Sequence, residues 1–299
     1  MVPGLMLNKM PMTPFRVMAV VSGVAAICLV FSALNTVGPT PKLGAVFAEQ
    51  PKTVKRQASG ATMADPKFWQ TVNLQAEKIP KEVTDSLTKV TVNTNYINIM
   101  GTSTFYREAN PPAGITSSGE VAVLLHGMAF KSETWLDLKT IHMLAAMGHR
   151  VIAIDLPGFG ETNSKLSDST EPGVYLNSFM TELKADHPVV VSPSMSGRFS
   201  FSYILKYPDG LGGFVPVAPV DSEKIVSIAK NISIPTMIII GEKDNNLGIK
   251  SRSDLLHIPT SQSVTIPKGS HPAYLDNPGM FHQLLYNFIK QVHNHRARD

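Results

Sequence analysis

Cysteine is nearly absent from this chain: its 299 residues include one, Cys28. A disulfide scaffold needs several cysteines, and so does a cysteine-based zinc site, so both are excluded. Neither sign of charge dominates either, because 27 Lys and Arg stand against 23 Asp and Glu with no run of five like charges. A nucleic-acid-binding protein would carry a basic stripe, so the sequence predicts no nucleic-acid partner.

Apolar residues, in contrast, are plentiful. They make up 43% of the chain, and the 21 glycines and 22 prolines are ordinary numbers. This composition excludes a disordered chain and a collagen-like or low-complexity one. The length is sufficient for one substantial hydrophobic core and at most a second small one.

An uncharged apolar segment lies near the N-terminus. Val17–Leu34 contains no charged residue, and as a helix it would span about 27 Å, close to the hydrocarbon thickness of a bilayer. Lys9 and Arg16 precede it, which favours an N-terminus in the cytoplasm. The sequence therefore predicts a single-pass type II membrane protein, with residues 1–16 as a short cytoplasmic N-terminus and 17–37 as a transmembrane signal anchor.

Two alternatives for this segment stay open. It could be a signal peptide cleaved after Ala48, which ends a small-residue motif, or a buried helix of a globular domain. A cytoplasmic pool of the protein is the alternative to the membrane location. Asn231 begins an Asn-Ile-Ser glycosylation sequon, which is usable only if that part of the chain is lumenal. Residues 38–88 are polar and interrupted by prolines, which predicts a stem, and 89–299 form the predicted domain.

Strands and helices alternate along residues 89–299. The apolar patterns predict a hairpin followed by six further strands, each buried run being separated from the next by a helical pattern. Alternation of this kind predicts an α/β fold with a mostly parallel sheet and helices on both faces. In such sheets chemistry takes place at the carboxyl ends of the strands, so the residues directly after each apolar run are the candidate site. The predicted strands are 89–100, 104–108, 121–125, 151–154, 189–191, 214–218, 236–240 and 263–266, and the predicted helices are 132–147, 175–185, 198–206, 224–230 and 281–292.

A serine-rich turn follows the strand 189–191. In a strand–turn–helix elbow that exposes a nucleophile, the residues two before and two after it must be small, because strand and helix pass close together. Among the three serines of this turn only Ser194 meets that condition, with Ser192 and Ser196 at the two positions. Ser194 is the predicted nucleophile, and a turn that merely caps a helix is the alternative.

A serine hydroxyl needs a base and an acid that orients the base. Asp244 follows the strand 236–240 and His271 follows the strand 263–266. The chain order Ser194, Asp244, His271 is that of α/β-hydrolases, so these three residues are the predicted catalytic triad. Glu242 is the alternative acid.

The loop after the strand 121–125 predicts half of an oxyanion hole. The backbone N–H of Met195, next to the nucleophile, is one predicted donor, and that of Met128, with Ala129 as the alternative, is the other. His126 in the same loop is interpreted as a structural hydrogen-bonding residue. The segment 155–160, Asp-Leu-Pro-Gly-Phe-Gly, has two glycines but no complete dinucleotide-binding motif, so it is interpreted as a rigid turn.

These motifs together resemble the alpha/beta hydrolase domain-containing 14 subfamily, and the resemblance covers residues 88–292. The motifs are LLHGMAF (124–130), SETW (132–135), AIDLPGFG (153–160), SPSMSG (192–197), GFVPVAP (213–219) and GSHPAYL (269–275). The subfamily has a soluble and a membrane-anchored member, and the apolar N-terminal segment makes the chain resemble the anchored one. Carried over by position, the resemblance implies Ser194 as nucleophile, Asp244 as acid and His271 as base.

The resemblance also implies an activity. It suggests a serine hydrolase that cleaves small acyl esters, and for the soluble member deacylation of lysine side chains with coenzyme A as acyl acceptor. No metal or other cofactor is expected, and the expected partners are a small acyl substrate or an acylated protein, together with the membrane through residues 17–37. Only a few residues separate Pro219 from the next helix, so no large lid domain is expected. A hydrolase-fold protein that binds without turnover is the alternative class.

Overall fold

The sheet that the sequence predicts is present in a computed structural model, which describes residues 65–296. Eight strands form one sheet in the order β1-β2-β4-β3-β5-β6-β7-β8. The six strands from β3 to β8 run parallel to one another, whereas β1 and β2 form an antiparallel hairpin whose strand β2 pairs antiparallel with β4. The strands are β1 (Asn93–Ile99), β2 (Thr102–Ala109), β3 (Val121–Leu124), β4 (Arg150–Ile154), β5 (Val189–Pro193), β6 (Gly213–Val217), β7 (Thr236–Gly241) and β8 (Ser261–Ile266).

Helices cover both faces of the parallel strands. Successive residues of a strand point to opposite faces, and here both sets are buried: Val190 of β5 packs in one apolar cluster, and Val189 and Val191 in the other. A continuous apolar run is what a strand covered on both sides requires. The helices are α1 (Pro66–Thr71), α2 (Lys81–Asp85), α3 (Ser132–Asp137), α4 (Thr140–Ala146), α5 (Pro172–Glu182), α6 (Gly197–Lys206), α7 (Leu247–Leu255), α8 (Ala273–Asp276) and α9 (Pro278–Arg296).

The connection from β6 to β7 is short. Residues 218–235 contain the 3₁₀ turns Ser222–Ile225 and Ala229–Asn231 in place of the single helix predicted at 224–230. Asn231 is exposed at the end of the second turn. No lid domain is inserted in this connection, as the sequence predicted.

The transmembrane part of the prediction is corrected. Within residues 65–296, no helix has both the length and the apolar character needed to cross a bilayer. Residues 17–37, predicted as a type II signal anchor, lie outside the described residues. Residues 65–296 therefore form an α/β fold that contains no transmembrane helix, and neither the single-pass membrane location nor the membrane partner is retained.

Part of the segment assigned to the stem packs against the sheet domain. Trp69 of α1 is 2% exposed, and its ring lies edge-on to Phe288 of α9 at a centroid distance of 5.7 Å. Leu74 belongs to the same apolar cluster. The Asn287 side chain accepts a hydrogen bond from the Glu77 N–H and donates one to the Glu77 carbonyl. The packed domain thus begins before residue 69.

Two helical regions differ from the predicted pattern. The helix predicted over 132–147 is divided into α3 and α4 by Lys139, whose φ of 62° is left-handed and ends an α-helix. The helix α7 carried no clear apolar period, because its buried positions include the small residues Gly248 and Ser251. A helix that buries small residues has little hydrophobic periodicity, so its sequence pattern does not predict it.

Candidate active site

The turn after β5 has the geometry of a nucleophile elbow. Ser194 begins a 3₁₀ turn that leads directly into α6, and its φ of 51° lies in the left-handed region that non-glycine residues rarely adopt. Such strain persists only where the surroundings impose it. Here the Ser194 carbonyl accepts a hydrogen bond of 2.9 Å from the Val220 N–H. Gly197 permits this close approach, because a Cβ at Gly197 would lie 2.2 Å from the Val220 oxygen.

The three predicted triad residues come together at the carboxyl ends of β5, β7 and β8. Ser194 Oγ lies 2.8 Å from His271 Nε2, and His271 Nδ1 lies 2.6 Å from Asp244 Oδ2. Since Asp244 accepts, Nδ1 carries a proton, which leaves Nε2 of the neutral ring as an acceptor for the serine hydroxyl. The arrangement is that of a nucleophile, a base and an orienting acid.

Asp244 is held in its charged form. Burial would raise the pKa of this carboxyl, but the His271 hydrogen bond and charge, with backbone N–H groups of Gly248 and Asn246, outweigh burial and lower the pKa. The side chain is only 7% exposed, whereas that of His271 is 18% exposed. A buried carboxylate beside a more accessible imidazole can stabilise a positive charge that forms on the ring.

The loop that carries His271 is fixed from both sides. Asp276 of α8 accepts hydrogen bonds of 2.6 Å from both the N–H and the hydroxyl of Ser270. On the other side Gly241, at the end of β7, passes so close that a Cβ there would lie 2.0 Å from the Ser270 oxygen. Asp276 and Gly241 were not singled out from the sequence, although the shared strand-end position of Gly241 was a usable signal.

Glu242, the alternative acid, is directed elsewhere. It is exposed, and its carboxylate accepts a hydrogen bond of 2.6 Å from the Lys268 N–H. Within residues 65–296 it forms no hydrogen bond or ion pair with His271. Of the two candidate acids, Asp244 is therefore the one that the geometry places at the base.

The loop after β3 lies against the nucleophile. Gly127 faces Ser194 so closely that a Cβ there would be 3.5 Å from the Ser194 Cβ. Met128 follows Gly127 and is half-buried. Met195 is the residue directly after Ser194. Met128 is thus the chain neighbour of the glycine that faces Ser194, and the assignment of Met128 and Met195 to an oxyanion hole stays a prediction.

His126 and Asp155 also follow strands, but backbone groups use their polar atoms. His126 Nδ1 lies 2.9 Å from the Gly127 carbonyl, and its Nε2 accepts a hydrogen bond of 2.9 Å from the Leu156 N–H. Burial lowers the pKa of His126, so the ring stays neutral. Asp155 accepts hydrogen bonds from the N–H groups of Ser132 and Glu161. The segment 155–160 is thus a turn braced by its own carboxylate.

Metal ligands are not grouped in this region of the chain. Between residues 65 and 296 no three His, Cys, Asp or Glu side chains lie together in a way that could hold a metal ion. The expectation that the reaction needs no metal stays a prediction.

The fold and the family are defined by comparison with known proteins. The family model described as the alpha/beta hydrolase fold matches residues 121–231. A predicted CIB-like hydrolase of Thermoplasma acidophilum superposes with a TM-score of 0.61 at 24% identity, covering 68% of this chain and 99% of that one. A thermophilic esterase of Thermogutta terrifontis superposes with a TM-score of 0.54 at 18% identity, covering 67% and 99%. The molecule is an α/β-hydrolase.

Curated relatives narrow this class to one family. Protein ABHD14A of Danio rerio is 37% identical over 63% of this chain and 72% of its own length. ABHD14B of Rattus norvegicus, named as a candidate protein-lysine deacylase, is 34% identical over 69% of this chain and 100% of its own length. The chain belongs to the alpha/beta hydrolase domain-containing 14 family, which confirms the resemblance seen in the motifs, and it is a hydrolase.

Proposed function

We propose that this chain is a serine hydrolase that transfers acyl groups through Ser194, His271 and Asp244. The observation that supports the proposal best is the continuous pair of contacts, 2.8 Å from Ser194 Oγ to His271 Nε2 and 2.6 Å from His271 Nδ1 to Asp244 Oδ2. Distances of about 2.6–3.2 Å are those expected between a nucleophile and its base.

In the proposed mechanism His271 is first a base and then an acid. Its Nε2 takes the proton of Ser194 Oγ as that oxygen bonds to the acyl carbonyl carbon. The protonated ring then gives this proton to the leaving alcohol or amine, and the acyl group stays on Ser194. Water or another acceptor, deprotonated by the same nitrogen, attacks the acyl-enzyme, and the ring returns this proton to Ser194 Oγ as the bond between that oxygen and the acyl carbon breaks. Asp244 stabilises the positive ring in both steps.

The negative oxygen of each tetrahedral intermediate needs donors that are already in place. The backbone N–H groups of Met195 and Met128 are proposed for this role, since Met195 follows Ser194 and Met128 follows Gly127, which faces Ser194. Losing one such donor typically costs a factor of ~10²–10³ in rate. Apart from the acyl acceptor, these steps use only groups of the protein, and chelation by EDTA should leave the rate unchanged.

Acylated lysine and small acyl esters are the proposed substrates. The ABHD14B relatives are named for protein-lysine deacylation, and the short β6–β7 connection leaves no lid domain over the site. The acyl group of the acyl-enzyme passes either to water or, as the alternative acceptor, to coenzyme A. Incubating the protein with an acetyl-lysine peptide, with and without coenzyme A, separates the two: acetyl-coenzyme A appears in one case and free acetate in the other.

Labelling by a fluorophosphonate probe tests the nucleophile, because the probe reacts with an activated serine. The Ser194→Ala variant should lose labelling and acyl-ester hydrolysis altogether, a loss of more than about 10³-fold. Ser227→Ala, which removes an exposed serine, is the matched control and should retain both. Undiminished labelling of Ser194→Ala would refute the assignment, and a wild-type protein that binds acyl ligands without labelling or turnover would favour a binding function instead.

A further inference from the structure

Three buried hydroxyls form a chain behind the proposed nucleophile. Ser192, Ser196 and Ser200 are all 0% exposed. Ser200 Oγ lies 2.8 Å from Ser192 Oγ, which lies 3.1 Å from Ser196 Oγ. Ser196 Oγ in turn lies 2.7 Å from the Pro193 carbonyl oxygen. The chain thus leads from α6 to the residue that precedes Ser194.

The direction of this chain follows from counting protons. A carbonyl only accepts, so the Ser196 hydroxyl donates its single proton to Pro193. Ser196 must then accept from Ser192, which leaves Ser192 without a proton for Ser200. Ser200 therefore donates to Ser192, and each hydroxyl of the chain donates to the next one. Buried hydrogen bonds arranged head to tail reinforce one another.

The chain ends at a peptide group that matters for the nucleophile. The Pro193 carbonyl belongs to the peptide plane that carries the Ser194 nitrogen. The following plane is held by the Val220 N–H, which donates to the Ser194 carbonyl. Because a trans peptide directs its C=O and N–H to opposite sides, this bond directs the Met195 N–H away from Val220. Both planes that flank Ser194, with its φ of 51°, are therefore held by hydrogen bonds.

We propose that Ser192, Ser196 and Ser200 are positioning residues for Ser194. An elbow of this kind ordinarily has glycine at the two flanking positions, where only small size is required. Here the flanking serines add a hydrogen-bonded chain that fixes the Pro193–Ser194 peptide and so the aim of Ser194 Oγ at His271. This inference rests on the proposed function, because it gives these hydroxyls a role in the attack by Ser194.

The test replaces the hydroxyls without enlarging the side chains. The variants are S192G/S196G, which restores the usual glycines, S196A, and S200A, in which alanine favours the helix. The matched control is T260V, which removes another buried hydroxyl that donates to a backbone carbonyl, that of Ile234. For each variant we would measure kcat and KM on an acyl ester, the rate of fluorophosphonate labelling, and Tm.

Misplacing a nucleophile lowers the chemical step more than binding. We expect S192G/S196G and S196A to lower kcat and the labelling rate about tenfold, with KM within about twofold of wild type. S200A should have the same effect to a smaller extent. T260V should lower Tm and leave kcat unchanged, which separates positioning from general stability.

Two results would overturn the proposal in different ways. If S192G/S196G and S200A keep the wild-type kcat and labelling rate, small size alone is sufficient at these positions and the hydroxyl chain has no positioning role, while the serine-hydrolase function stands. If S192G/S196G does not fold, S200A and S196A decide by the same criterion. If wild-type protein is not labelled at Ser194, the proposed function fails and the role of the chain fails with it.

Discussion

Two histidine–aspartate pairs lie at the carboxyl edge of this sheet, and one of them contacts a serine hydroxyl. His126 and Asp155 follow β3 and β4 and give their polar atoms to backbone groups. His271 and Asp244 contact each other, and the free nitrogen of the ring contacts Ser194. The same residue types at the same edge thus either brace the loops, where backbone groups contact their polar atoms, or line up with a serine hydroxyl as in the proposed triad.

The largest effect should come from neutralising the acid of the second pair. Asp244→Asn keeps the shape but offers an amide where His271 Nδ1 needs a negative acceptor, so the ring adopts the wrong tautomer. We expect kcat to fall by about 10³–10⁴-fold, with a much smaller change in stability. Glu242→Gln, which changes the exposed neighbouring acid, is the control, and an equal loss in this control would contradict the choice of Asp244.

The corresponding substitution in the first pair, Asp155→Asn, should lower stability instead of kcat. Asp155→Asn leaves one of the two backbone N–H groups facing an amide nitrogen, which should lower the free energy of unfolding by about 2 kcal/mol. Chemical denaturation measures this loss, and the kcat of the folded fraction should remain near the wild-type value. A large fall in kcat at unchanged stability would place Asp155 in the catalytic machinery and remove the distinction between the pairs.

Gly160 allows a sharper probe of the same turn. Its φ is +52°, and a Cβ there would lie 2.0 Å from Asp155 Oδ2. Gly160→Ala should therefore displace the carboxylate and destabilise the protein by about 2 kcal/mol through strain and lost hydrogen bonds. Gly114→Ala is the control, because Gly114 also has a positive φ but open space around it. Thermal unfolding of both variants separates the clash from the backbone conformation.

His282 is a buried histidine whose hydrogen-bond partner is a hydroxyl rather than a carboxylate, so it can be compared with both pairs. It is hydrogen-bonded to Thr140 at 2.9 Å, and burial lowers its pKa to about 4. Between pH 6.5 and 4 the unfolded chain binds a proton that the folded one rejects, so stability falls as the pH falls, by up to about 3 kcal/mol. His282→Gln should flatten the dependence of unfolding free energy on pH. His149, whose pKa burial also lowers to about 4, remains as the internal reference, and an unchanged slope would contradict the assignment.

Sequence patterns were sufficient for the α/β-hydrolase fold and for the residues that meet at the strand ends. Chain order and strand-end position brought together Ser194, Asp244 and His271, because parallel strands all end at one edge of the sheet. The patterns could not predict the bonds that hold the elbow, since Val220 contributes only its backbone N–H, which any residue except proline has. They also gave no sign of the break at Lys139, a residue with no special tendency toward a positive φ.

A similar limit applies to the packed part of the predicted stem. Composition made residues 38–88 look like one polar linker, yet Trp69 is 2% exposed in the core. A single aromatic residue among prolines and polar residues does not form a periodic pattern, so hydrophobic periodicity overlooks it. The transmembrane segment was inferred from an apolar run and the charges before it, and the described helices offer no counterpart to it.

The packing of Trp69 determines what proteolysis after α1 would do to the domain. If a protease cleaved between residues 78 and 90 and the N-terminal piece dissociated, Phe288 would lose its contact with Trp69 and the Asn287 amide its hydrogen bond to Glu77. Exposed aromatic surface of that kind promotes self-association. The residues of the proposed triad would all still be present in such a truncated product, so loss of activity there would signal damage to the apolar cluster around Trp69 rather than loss of the reacting groups.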